Sequence, residues 1–204
     1  MQKQILGILL MLSVLSCGNF SSPKLNLSDS AIEQTFSPEE IVGVNRIIWF
    51  MDSTAFAKCH CSKLDQAYSK LKYTPAIFNE PKFNALIAEL KKDGLYQSFW
   101  IVRHRSDSVK STNLEFNING KLFKLIERLS DDNEAAREYY GFLMRDRDIS
   151  PSLLAMFPQD FPELDVKRPA MRLLIATHLL FQRESENFDK KTPELIRLED
   201  REND

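Results

Sequence analysis

The sequence predicts an α+β domain, mostly helical, with about six helices around a small antiparallel sheet of about three strands. Three observations carry this expectation. Ser37-Pro38-Glu39-Glu40 has every part of a helical capping box ahead of a long apolar stretch. Apolar residues recur at helical spacing in several further segments, each bounded by a cap or a glycine. Asn119-Gly120 separates two alternating runs, as the turn of a β-hairpin does.

The helix opened at Ser37 carries Ile41, Val44, Ile48, Met51 and Ala55 on one stripe, while Val42, Ile47, Trp49 and Phe50 widen the apolar surface. It therefore reads as a core helix buried on several sides. Asn45, Arg46 and Asp52 interrupt any 18-residue apolar run of the kind that spans a bilayer. A second helix is expected around Leu64, Ala67, Tyr68 and Leu71. A third starts at Asn79-Glu80-Pro81, with Phe83, Leu86, Ile87 and Leu90 on its face and Gly94 to stop it. Residues 96–102, with Phe99-Trp100-Ile101-Val102 unbroken, have the length and residue types of a buried strand. In the hairpin at Asn119-Gly120, Phe116 would face Phe123, Leu114 would face Leu125 and Glu115 would face Lys124. Ser130-Asp131-Asp132 then caps a helix with Ala136, Tyr139, Tyr140 and Leu143, and Ser150-Pro151 begins a short one. A last substantial helix is expected over residues 169–182, with His178 bordering its apolar stripe.

Composition bounds the function. With 27 basic and 29 acidic residues the chain is at −2, which is no nucleic-acid footprint. At 204 residues and 43% apolar it is long enough for one domain with a real core. Three cysteines cannot make a disulfide scaffold, so burial must hold the fold together.

The N-terminus sets the compartment. Met-Gln-Lys-Gln precedes an apolar run over residues 5–15, which as a helix rises roughly 16 Å against a bilayer core of about 30 Å. It is too short to span and has the shape of a secretory signal. Its end, Val14-Leu15-Ser16-Cys17, resembles the lipobox of bacterial lipoprotein precursors. That resemblance covers only these first 17 residues and implies cleavage before Cys17 and acylation of its thiol. Ordinary signal cleavage, releasing a soluble secreted protein, is the alternative. Acylating Cys17 leaves an even pair, Cys59 and Cys61. The expected organisation is a signal peptide at 1–16, the lipidated Cys17 with a flexible tether over 17–36, one globular domain over 37–183 and a charged, partly disordered tail over 184–204. A free tether of that length averages roughly 25 Å end to end. No acidic residue directly follows Cys17, which by resemblance to Gram-negative sorting points to the outer membrane.

Lys58-Cys59-His60-Cys61 is the cluster with chemical promise. Side chains two apart on a continuous helix point about 200° away from each other, so only a turn brings the two sulfurs together. A local disulfide or buried thiols, a redox pair, and a Zn or Cu(I) site completed by His104, His178 or a methionine are the readings open to it. Arg103-His104-Arg105 at the end of the strand would suit an anion or a partner. Phe157 and Phe161, in a proline-rich loop, would suit a partner contact. No Gly-x-Ser-x-Gly elbow, His-Glu-x-x-His motif, phosphate loop or dinucleotide fingerprint occurs. The expectation is a non-catalytic envelope lipoprotein without a cofactor, binding an envelope or secreted protein or another envelope component. Thiol or metal chemistry at Cys59, His60 and Cys61, or a hydrolase site built from distant carboxylates, are the alternatives.

Overall fold

The computed structural model describes residues 27–71, 77–105, 111–150, 153 and 165–202. The signal segment, Cys17, all but Ser150 and Leu153 of the helix expected at Ser150-Pro151, and Phe157 and Phe161 lie outside these residues. Within them the chain is mostly helical, with eight helices rather than six and a two-stranded antiparallel sheet.

Folded structure begins before the capping box. Helix α1 (Ser30–Thr35) lies inside the stretch read as tether, because Asp29 caps it and Ile32 and Phe36 are buried. Asp29 caps two helices at once. One carboxylate oxygen accepts from the Ala31 N–H at 2.9 Å and the other from Ala170 N–H at 3.2 Å, at the start of the last helix. Asp29→Ala is therefore expected to cost about 2 kcal/mol, two ordinary caps, read as a fall in the urea midpoint with unchanged slope.

Helix α2 (Pro38–Cys59) opens as its sequence requires. The Ser37 hydroxyl accepts from Glu40 N–H, and the Glu40 carboxylate accepts from Ser37 N–H at 2.8 Å. Val44, Ile47, Ile48, Met51 and Ala55 are fully buried, so the core-helix reading holds. No helix among the described residues is long and apolar enough to cross a membrane. Helix α3 (Leu64–Ser69) folds back on α2 through Ala67 and Tyr68. Helix α4 (Glu80–Lys92) starts at the Asn79 cap, buries Phe83, Leu86, Ile87 and Leu90, and is followed by Gly94 in the left-handed region, φ 75°.

Two expectations for the sheet are corrected. The unbroken apolar run is not all strand: Leu95–Phe99 forms a short helix, α5, and only Trp100–Arg105 is the strand β1. A run of four apolar residues satisfies either conformation, and here Tyr96 and Phe99 both pack inward from one helical turn. The hairpin at Asn119-Gly120 does not form. Strand β2 (Ser111–Phe116) pairs instead with β1, Trp100 opposite Phe116 and Val102 opposite Leu114, while Lys121–Ser130 is helix α6. Leu122, Leu125, Ile126 and Leu129 stand at i, i+3, i+4 and i+7, and burying all four outweighs a short strand that would have buried two. Phe116 and Phe123 still meet, ring centroids 6.3 Å apart, but as a strand residue against a helix residue.

Helix α7 (Glu134–Asp146) is capped by Asn133, whose side chain accepts from Ala136 N–H at 2.8 Å, rather than by the Ser130-Asp131-Asp132 run. Helix α8 (Pro169–Glu202) is longer than expected, and its first three turns form the hub of the molecule. From Ala170 to Leu180 every residue is buried, and α8 touches α1, α2, α6 and β2. Such all-round burial replaces the one-sided stripe expected of it.

Candidate binding groove and cysteine turn

The turn that the two cysteines need is present. Helix α2 ends at Cys59, and His60 takes the left-handed conformation (φ 53°, ψ 34°), donating its N–H to Phe56 C=O at 3.0 Å. This reverses the chain within one residue and brings the Cys59 and Cys61 Cα atoms to 5.1 Å, inside the range of a disulfide, and the two sulfurs are bonded. Both cysteines are partly buried against the core, while His60 is exposed. Bonded sulfurs present no thiolate, so a metal at this turn would need the reduced pair. Among the described residues no three His, Cys, Asp or Glu side chains come together to hold an ion. The loop closed is very short, with a sequence separation of 2, so its loss should matter little. Replacing both cysteines with serine is expected to lower stability by only about 1–2 kcal/mol, measured by urea unfolding.

The other residues singled out by sequence are scattered. Arg103 stands on β1 and donates to the Glu115 carboxylate on β2 at 2.6 Å, an exposed cross-strand ion pair. The backbone of His104 and Arg105 continues β1, and their side chains lie outside the described residues. His178 is fully buried in α8, with Nδ1 3.2 Å from the Tyr139 hydroxyl. It is far from solvent and is held as a core histidine.

The titrating groups with displaced proton affinities are mostly structural too. Asp52 on α2 accepts from the Tyr68 hydroxyl at 2.7 Å and from the Arg172 guanidinium at 2.8 Å, tying α2, α3 and α8 together. Burial pushes the Asp52 carboxyl above its ordinary value, and the pull of Arg172 and Tyr68 does not cancel it. Burial likewise raises the Tyr68 phenol, with the Asp52 charge adding to it. Near the middle of α8, Glu184 accepts from Lys91 at 2.9 Å and from the Tyr96 hydroxyl at 3.3 Å, and burial raises the Tyr96 phenol far above its ordinary range. These clusters hold helices together inside the domain.

The surface feature of a different kind is a groove of about 640 Å³ between α2 and α4. Phe50, Ile77, Phe78 and Leu86 make its apolar floor, with the Phe50 and Phe78 rings 5.5 Å apart and Phe78 stacked on Phe83 at the same spacing. Trp49, Ser53, Thr54 and Ala57 of α2 form one wall; Lys82, Ala85 and Glu89 of α4 form the other. Arg46 reaches Glu89 at 3.1 Å and Asp93 at 3.0 Å, closing the end near the C-terminus of α4. Lys58 of α2 and Lys82 of α4 also line the groove.

Trp49 belongs to the apolar surface of α2 that the sequence predicts to be buried. It is 57% exposed instead, and Val42, one helical heptad earlier, is 60% exposed. The signal was present on the helical wheel, where Trp49 shares its side with Arg46, Ser53 and Ala57 rather than with Ile48 and Met51. Comparison of the chain with protein-family models, curated proteins and solved structures gives no match.

Proposed function

We propose that this chain is a non-catalytic binding protein of the bacterial cell envelope, held to the membrane by acyl groups on Cys17, with the α2–α4 groove as its contact for an envelope or secreted component. The single observation that carries the binding part is Trp49: a large aromatic side chain left more than half exposed beside a concave apolar floor. Exposed tryptophan is expensive to leave in water and is enriched where partners bind. The polar groups around the floor are the Ser53 and Thr54 hydroxyls, the Asn79 amide, the cations Arg46, Lys58 and Lys82, and the Glu89 carboxylate already engaged by Arg46, a set suited to holding a ligand. The N-terminal lipobox carries the anchoring part, and the absence of an acidic residue after Cys17 supports the outer membrane as destination.

The anchor is tested by the mass of the mature chain taken from membranes of the producing cell. The expected mass is that of a chain beginning at Cys17 and carrying acyl groups, and Cys17→Ser should move the protein to the soluble fraction. An intact Met1, or a Cys17 without acyl groups, would contradict it.

The bonded Cys59–Cys61 pair, on a turn whose His60 is exposed, supports a second reading, thiol exchange, with Zn or Cu binding as the reduced pair's alternative. Counting free thiols in the native protein with and without a mild reductant, alongside metal analysis, separates it. A pair that stays bonded and metal-free throughout would remove this reading.

A further inference from the structure

We propose that the Cys59–Cys61 disulfide is a two-electron oxidant for pairs of cysteine thiols on another polypeptide, made so by the left-handed turn at His60 that its closure requires. This rests on the thiol-exchange reading above and names its substrate and the direction of transfer.

The direction follows from three features of the turn. Closing a bond across a single residue demands an unfavourable backbone: His60, at φ 53°, is one of two non-glycine residues in the left-handed region among the described residues. An L side chain there crowds its own carbonyl, and opening the ring lets that crowding relax. The fold, for its part, does little to keep the bond closed. With a sequence separation of 2 the bridge ties no distant segments together. Bond and fold support each other equally, so a disulfide that adds little to stability is little protected from reduction.

The dithiol form is also provided for. Cys59 Sγ lies 3.6 Å from the Gln66 carbonyl oxygen, and Cys61 Sγ lies 3.7 Å from that of Lys63. Bonded sulfurs have no hydrogen to give, whereas each thiol can donate one there. The two carbonyls already accept from the Ser69 hydroxyl and from Ala67 N–H, and each keeps a second lone pair. Reduction therefore opens the ring and leaves both sulfurs with partners. Both cysteines are half-buried beside the exposed His60, so a thiolate reaches the bond from solvent.

One substrate thiolate attacks a sulfur of the pair: a mixed disulfide forms, the Cys59–Cys61 bond breaks, and the displaced sulfur leaves as thiolate and takes up a proton. The second substrate thiolate then attacks the substrate's own sulfur in the mixed disulfide. That forms the substrate disulfide and releases the remaining cysteine, which is protonated in turn. Two electrons and two protons pass from the substrate dithiol to the pair, with no further reactant. A dithiol completes the second step within one molecule, which a single thiol cannot do.

The test uses the full chain carrying Cys17→Ser, whose remaining cysteines are Cys59 and Cys61, and a reduced synthetic peptide with two cysteines about ten residues apart. Equimolar protein and peptide are equilibrated without air, quenched in acid, alkylated and weighed by mass spectrometry. The peptide should emerge with a disulfide as the protein gains two alkylated thiols, with an equilibrium constant of about 10 or more. His60→Gly, which accepts the left-handed backbone freely, should lower that constant about fivefold, while His60→Ala should leave it within about twofold. The same peptide with one cysteine replaced by serine should leave most of the protein oxidised. Protein carrying both Cys59→Ser and Cys61→Ser should leave the dithiol peptide reduced.

A dithiol peptide that stays reduced, a constant that His60→Gly leaves unchanged, or equal reduction by the one-cysteine peptide overturns the proposal. If the peptide stays reduced while a mild reductant opens the bond, the direction falls and the thiol-exchange reading stands. If the bond also resists the reductant, both fall.

Discussion

Arg172→Met is expected to lower stability by about 3–5 kcal/mol at pH 7, enough to threaten a domain whose total is typically about 5–15 kcal/mol. Arg172 and Asp52 are 1% and 5% exposed, so neither can turn to water when its partner is removed. What remains is a buried carboxylate with one phenol donor, Tyr68, in place of a guanidinium. The pH dependence has a definite sign. A carboxyl that holds its proton more tightly in the folded chain than in the unfolded one adds stability below the ordinary value of 3.8, and loses that contribution as pH rises through its folded value. Losing Arg172 removes an influence that lowers the Asp52 value, so it rises further in the variant. The deficit of Arg172→Met should therefore be larger at pH 7 than at pH 5, because lowering the pH favours the proton that removes the uncompensated charge on Asp52. Urea unfolding of both proteins at the two pH values measures this; a deficit below about 1 kcal/mol would mean the pair does not hold α2 to α8. Removing both charges, as Asp52→Leu with Arg172→Met, should recover more than half of the loss.

Gly120→Ala is expected to cost about 3 kcal/mol, for a reason unrelated to backbone freedom. Gly120 has φ −81°, ordinary for any residue. A Cβ built there, however, would stand 2.1 Å from the carbonyl oxygen of Ser98 and 3.0 Å from that of Asn117. Both obstacles are main chain, so relief requires moving the end of α5 or the start of α6. The segment is fixed by Asn117, whose N–H donates to Phe99 C=O at 2.9 Å and whose side-chain amide donates to Gln97 C=O at 2.7 Å. The neighbouring Asn119→Ala, exposed and outside this contact, should change stability by less than about 0.5 kcal/mol. A hairpin turn would have reversed the emphasis, since both of its central residues need positive φ.

That contrast shows where the sequence is legible. Helices α2 and α4 are readable because their caps, faces and stops are local, and the Ser37 box and the Asn79 cap form as their spacing requires. The cysteine turn is also readable, since helical geometry separates residues two apart unless the chain reverses. Strand and helix are not separable from residues 121–125 alone, where Phe123 and Leu125 suit one face of a strand while Leu122 and Leu125 suit one face of a helix; only Ile126 and Leu129, further on, favour the helix. The double cap at Asp29 and the Asp52–Arg172 pair join positions 141 and 120 residues apart, and no local pattern announces either. The groove is intermediate. Trp49's polar neighbours on α2 mark its face as mixed, but the floor comes from Ile77 and Phe78, which only the packing of α4 against α2 brings beneath it.

Oxidative footprinting of the two tryptophans tests the central claim, that this groove is the surface the protein uses in the envelope. Trp49 should be protected in intact envelopes and oxidised readily in the purified protein, while Trp100, fully buried, should be unreactive in both. Equal oxidation of Trp49 in the two preparations would contradict the account.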